Sequence, residues 1–333
     1  MLTASNSVSM SRRTRRTLLI VAAVLVLLAI AVFLRSKAPP EAARLLPESD
    51  GIIYFNLEPI RALAHFKKMP PPQRVPEYQA FVDATGIDWE RDVNKVAIAL
   101  HRMPDPNGPN GPVAYSMVIA GKITGQKLNS WLDAHAIARE SYGGHAIYSI
   151  PSEGRTVRVT QIGYDMMAVS NYPTTEMIHS ILDRHRTAAL PFSGSSLLQH
   201  HYHDVPLLSL AWGVGQIGLP FSESGNIHIF GFDLPLAADS TIIASAAPSL
   251  PVPGSLGAVR LRVEEIAANE DTAASQAASL ATLVTMARGL TVPLGKSKAD
   301  DVLAQLLKTA EVSQKGERVV VTATLPATSL TGL

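Results

Sequence analysis

KVAIALHRMPDPNGPNGPVAYSMVIA, residues 95–120, carries two apolar runs separated by turn formers. Residues 95–101 (KVAIALH) and 113–120 (VAYSMVIA) are short and apolar, and Pro, Asn and Gly bound them, which is the pattern of strands. Residues 104–112 (PDPNGPNGP) between them are all turn residues, so the two runs read as paired strands. Directly after them the spacing changes. Leu128, Trp131, Leu132 and His135 stand at i, i+3, i+4 and i+7, one face of a helix, with Thr124 as its expected cap. Hairpin-like strand pairs mixed with helices predict an α+β protein whose largely antiparallel sheets are packed with helices.

The same alternation extends in both directions. Upstream, residues 51–57 (GIIYFNL) read as a strand. A helix opens near Pro59 and is broken by Pro70-Pro71-Pro72, and another spans 77–84 and ends at Gly86. Downstream, Gly143-Gly144 turns between short strands, and 156–162 and 166–170 form a hairpin around residues 163–165. Thr174 is placed to cap a helix with Met177, Ile178, Ile181 and Leu182 inward. Residues 189–196 (ALPFSGSS) mark a candidate domain boundary. Beyond it come a short helix, a strand at 206–212, an irregular stretch to Asp239 and strands at 241–246 and 256–264. The clearest helix, 269–288, has Asn269 as N-cap and an inward face of Ala273, Ala277, Leu280, Val284 and Ala287. A short helix at 301–308 and a strand at 317–325 close the chain. The order β-β-α-β-β occurs twice, which suggests two similar subdomains, 51–190 and 191–333, although no shared residue pattern supports an internal duplication.

The N-terminus sets the expected location. Residues 17–34 (TLLIVAAVLVLLAIAVFL) carry no charge, and as a helix at 1.5 Å per residue they reach about 27 Å, enough for a hydrocarbon core. Arg12, Arg13, Arg15 and Arg16 precede the segment, and Arg35 and Lys37 follow it, which favours an N-terminus inside and the body outside. The expected layout is a basic cytoplasmic tail at 1–16, a signal anchor at 17–34 and a linker at 35–50. A cleaved signal peptide (Ala29-Ile30-Ala31 is an A-x-A pattern) and a twin-arginine signal at 14–19 are the alternatives. The implied setting is a bacterial cytoplasmic membrane, crossed once.

Composition removes several classes of function. The chain has 333 residues with 29 Lys+Arg and 28 Asp+Glu, a net charge of +1, so it is no generally basic nucleic-acid binder. It has no cysteine, which excludes disulfides, thiolate metal sites and a cysteine nucleophile. Hydrophobic residues at 47% and charged residues at 17% exclude wholesale disorder. No G-x-S-x-G elbow, Walker loop or Ser-x-x-Lys pair occurs.

Four constellations remain. Residues 213–218 (GVGQIG) match G-x-G-x-x-G, but Leu219-Pro220 follow in place of a helix, so a strand-end loop is the expected role and no cofactor is predicted. His200, His203 and Asp204 suit zinc by residue type, though no H-E-x-x-H accompanies them; a solvated polar segment is the other reading. Asp83, Asp88, Glu90 and Asp92 surround Trp89 without calcium-loop spacing, and Asp88 fits an N-cap. Trp212, Phe221, Phe230 and Phe232 flank or occupy the irregular stretch, where they either make a binding surface or pin the loop to the body.

Leu46-Pro47 followed by Tyr54-Phe55-Asn56-Leu57, and the segment 78–92 (YQAFVDATGIDWERD), carry a resemblance. The body resembles a poorly characterised group of bacterial membrane-anchored proteins known as domains of unknown function. The resemblance implies an anchored α+β body and brings no catalytic residue. Together these readings predict a non-catalytic, extracytoplasmic protein held in the bilayer by residues 17–34, binding an envelope protein or another envelope component. A metal-dependent hydrolase using His200, His203 and Asp204 is one alternative. A cleaved periplasmic ligand-binding protein with the aromatic loop as its mouth is the other.

Overall fold

The computed structural model describes residues 38–63, 74–152, 154–187, 193–216, 226–229, 232–235, 240–249, 257–290 and 298–326, with Val21, Val24, Val26 and Leu28 before them. Those four are helical and exposed. The chain divides into two compact units, Met1–Ala38 and Pro39–Leu333. Among the described residues no helix is long and apolar enough to cross a membrane; most of the span expected at 17–34 lies outside them.

The larger unit is built on one antiparallel sheet of 12 strands, in line with the expected α+β class. Its first element, helix α1 (Glu41–Arg44), falls where the sequence suggested a linker. Ala42, Ala43, Leu45 and Leu46 are 2% exposed or less, so these four side chains belong to the core. Strand β1 (Gly51–Asn56) and helix α2 (Leu57–Leu63) follow. Helix α3 (Pro76–Thr85) ends on Gly86, whose φ of 74° gives the left-handed cap the sequence indicated. A single-turn helix α4 (Trp89–Asp92) leads into β2 (Val93–Arg102) and β3 (Val113–Gly121), the paired runs of residues 95–120.

Helix α5 (Gln126–His135) buries Leu128 and Leu132 as expected, but Thr124 does not cap it. The Thr124 hydroxyl donates instead to the Tyr164 carbonyl at 2.8 Å. Strands β4 (Ala138–Tyr142), β5 (His145–Ser152), β6 (Arg155–Ile162) and β7 (Met166–Ser170) form a meander. Helix α6 (Glu176–Arg186) begins after Thr175 and has no side-chain cap, so Thr174 has no capping role either. Helix α7 (Ser196–His201) and a 3-10 turn (Tyr202–Asp204) precede β8 (Ala211–Gln216). A hairpin of β9 (Asn226–Ile229) and β10 (Phe232–Pro235) lies within the stretch read as irregular. Strands β11 (Thr241–Ser249) and β12 (Ala258–Ile266) then lead to helix α8 (Glu270–Leu290). Asn269 caps α8, accepting the Thr272 N–H at 2.8 Å. Helix α9 (Lys298–Thr309), β13 (Glu311–Lys315) and β14 (Arg318–Pro326) complete the body.

The sheet order is β13-β14-β12-β11-β8-β1-β2-β3-β7-β6-β5-β4. The two halves expected from sequence are thus two contiguous parts of one sheet, joined where β1 pairs with β8. Each half runs three strands outward from that seam, β1-β2-β3 and β8-β11-β12. Each then crosses by helix and returns its last strand, β7 or β14, against its third. Alternate residues face opposite sides of the sheet. One side, with Ile52, Tyr54, Ala97, Val118 and Val214, packs under α1, α6 and α7. The other side carries two separate clusters. Helix α5 and its neighbours cover Ile119, Tyr148, Val159 and Met167, and α8 covers Val319, Val321 and Val312. The strands between those clusters, β12, β11, β8 and β1, supply the floor and walls of the site described next.

Candidate functional site

Register brings four strands into matching rows on the side of the sheet that bears α5 and α8. One row reads Ile53, Gly213, Ala244, Val263, and the next Phe55, Ala211, Ala246, Leu261. In both rows the outer strands present large apolar side chains and the inner strands present almost none. The result is an apolar trough of about 390 Å³ with Ala211, Gly213, Gly215, Ala244 and Ala246 along its floor. Ile53 and Phe55 form one wall, and Leu261 and Val263 form the other. Ile242, paired with Gly215, rises from the floor at one end. A volume of this size lies in the range of small-molecule sites.

The opposite end of the trough meets the turn before β8. Leu210 donates its N–H to Ala246 and accepts from the Asn56 N–H, both at 2.7 Å, which fixes that turn at the end of the two floor strands. The turn itself holds Leu207 and Leu208 outward, 54% and 81% exposed. Leu208 has φ 66°, the left-handed region that costs an L-residue about 1–2 kcal/mol.

The glycines read as a strand-end loop therefore have another role. Gly213 and Gly215 lie inside β8, and a Cβ built on Gly213 meets nothing closer than 3.5 Å. Their effect is to leave space above the sheet. Trp212, offered as part of a binding surface, points to the other side and is 3% exposed. It stacks on Tyr54 with ring centroids 5.4 Å apart and meets Tyr202 edge-on at 5.4 Å, so it is a core residue at the seam. Burial pushes the Tyr54 hydroxyl up to about 12. Phe221 and Phe230 lie outside the described residues, and Phe232 opens β10.

His200, His203 and Asp204 are separated in their bonding. His200 Nδ1 donates to the Ser196 carbonyl at 2.7 Å, an interaction within its own helix. His203 is exposed, with Nε2 3.4 Å from Asp204 Oδ2. Asp204 Oδ1 accepts from Arg318 at 2.9 Å, and the same Arg318 nitrogen donates to the buried Glu264 at 2.5 Å. Glu264 also accepts from Arg262 at 2.6 Å. Among the described residues no group of three metal-capable side chains comes together. Asp204 thus ties the turn after α7 to β14, a partner 114 residues away that no local pattern announces.

Of the acidic group around Trp89, Asp83 lies on α3, where it accepts from Gln79 at 2.8 Å, and the other three make a helix start. Asp88 caps α4 by accepting the Glu90 N–H, and Asp92 accepts the Asp88 N–H at 2.9 Å. Arg74 and Tyr78 bond to Asp88 at 2.8 and 3.0 Å. Burial by itself would raise the Asp88 pKa, but these bonds outweigh it and hold the carboxyl below its ordinary value.

One polar constellation has no signal in the sequence. His101 Nε2 lies 2.9 Å from Ser116 Oγ, which is 3.0 Å from Ser170 Oγ. The pair has the spacing of a base and nucleophile, but Ser116 is fully buried and His101 is 5% exposed, so no substrate carbonyl reaches it in this conformation.

No family model matches the chain, and no curated protein matches it. Among solved structures it is similar to TP0453. Crystal form III is 12% identical with a TM-score of 0.42, covering 88% of this chain and 97% of that one. Crystal form I is 11% identical with a TM-score of 0.43, covering 89% and 96%. At these values nothing transfers from that protein to this one.

Proposed function

We propose that this is a membrane-anchored, extracytoplasmic protein that binds an apolar envelope component without transforming it. The trough at the β12-β11-β8-β1 seam carries the reading, because its side chains are apolar and its floor is kept empty by glycine and alanine. The uncharged run at 17–34 and the arginines before it support the anchor and its orientation, with the first strand of the trough beginning at Gly51 soon after it. The shared path of the two halves supports their reading as similar subdomains, with the ligand held where they join.

The test is extraction of small molecules from purified full-length protein, read by mass spectrometry. A compound retained by the native protein and lost at least tenfold in Gly213→Leu supports the reading. Gly213→Leu places a side chain into the trough from a position with room for its Cβ. A native protein that carries nothing apolar, or a variant that carries the same compound equally, contradicts it.

A further inference from the structure

We propose that the trough holds an acyl chain of a membrane phospholipid, which enters past Leu207 and Leu208. This rests on the binding reading above and names the ligand class of the same site. Width selects the occupant first. Three strand spacings separate β12 from β1, about 14 Å between strand axes. Wall side chains on both strands narrow the free gap well below the 10–12 Å, approximately, of a helix with its side chains. A protein helix therefore cannot reach the floor at Gly213 and Ala244, whereas an unbranched hydrocarbon chain can.

Hydrogen bonding excludes a peptide strand. Strand β8 is paired with β1 on one side and β11 on the other, so the floor offers an incoming backbone no ladder to extend. A hydrocarbon chain needs none. The volume also suits a chain. At about 390 Å³ it lies near the lower end of the range for small-molecule sites.

The turn before β8 points to the source. A left-handed position in a solvent-facing turn is held with least strain by Gly or Asn. Here the residue is a leucine, beside a second exposed leucine, in the turn that Leu210 ties to Asn56 and Ala246. Two apolar side chains held outward in the turn that leads into the floor strand β8 suit a hydrocarbon surface as neighbour. The anchor at 17–34 keeps the body beside one.

The experiment uses full-length protein in phosphatidylcholine vesicles doped with a phospholipid that carries a diazirine near the end of one acyl chain. After irradiation, labelled peptides are mapped by mass spectrometry. The expected result is labelling of 211–215 and 242–246 in addition to the anchor. That labelling falls at least tenfold in Gly213→Leu and in Ala244→Leu, and at least threefold when Leu207 and Leu208 are both replaced by Ser. Circular dichroism and melting of each variant establish that it is folded, and two separate plugs guard against one that is not. Labelling confined to the anchor overturns the proposal. So does trough labelling that ignores the folded plugs, and labelling indifferent to the leucine pair overturns the entry route. If a compound without an acyl chain is extracted from the native protein and lost in Gly213→Leu, while the trough stays unlabelled, the acyl assignment fails and the binding reading stands. If neither extraction nor labelling finds a ligand, both fail.

Discussion

His101 lies on β2, on the side of the sheet packed under α1, where burial pushes its imidazole down to about 4. Asp50 nearby and a backbone hydrogen bond to Glu48 oppose that shift without cancelling it. The folded protein therefore holds His101 neutral at a pH where the unfolded chain, with an ordinary value near 6.5, binds a proton. Between pH 6.5 and 4 the unfolded state takes up more protons, so stability falls as the pH drops through that window. The full loss is roughly 3 kcal/mol. Denaturant titrations at pH 7 and pH 4 are expected to show it, and His101→Gln is expected to remove most of that difference. Equal pH dependence in the variant would contradict this account of the site. The residue escaped sequence reading because its partner Ser116 is reached only through the β2–β3 register. Asp88 was legible for the opposite reason: a cap closes within a few residues. Asp204 was not, since its role depends on Arg318.

At the scale of elements, strands and helices with a clear period were readable, and what overrode the rest was tertiary packing. The segment after the apolar run looks like a linker because it is short and contains Pro39-Pro40. Its Leu45 and Leu46 are nevertheless 1% and 0% exposed, packed in the cluster that contains Ile52 and Trp212. Leu46→Ala is expected to destabilise the protein by about 2–5 kcal/mol, the range for a buried leucine, whereas a true linker position would move by less than about 0.5 kcal/mol. Chemical denaturation distinguishes the two. Strand β8 shows the same limit differently. Its Gly-x-Gly reads as a loop because glycine is poor in strands. Pairing on both sides holds it in the sheet, and only the completed sheet reveals that the missing side chains shape a trough. Two of the five floor residues, Gly213 and Gly215, were therefore in view as a motif and were assigned to the wrong kind of element.

The whole molecule depends on a pairing between strands about 160 residues apart, β1 with β8, which no local signal could supply. Because the two halves share one sheet and one core at that seam, they are expected to unfold together. Trp212 reports the seam, and Trp89 and Trp131 report the cluster under α5. Intrinsic fluorescence and far-ultraviolet circular dichroism should therefore give one coincident denaturation midpoint. Two separated midpoints would show the halves to be independent domains.

The absence of native cysteine allows the most direct test of the central account, an apolar trough on a body that faces outward and is occupied by ligand. Single-cysteine variants Tyr164→Cys and Ala244→Cys would be treated in intact cells with a bulky, membrane-impermeant maleimide. Tyr164 is 94% exposed, so its cysteine is predicted to label rapidly from outside. The cysteine at 244, on the trough floor, is predicted to label at least tenfold more slowly, and faster once lipid has been stripped from the purified protein. A cysteine at 164 that labels only after cell lysis, or a cysteine at 244 that labels as fast as the one at 164 in cells, would contradict it.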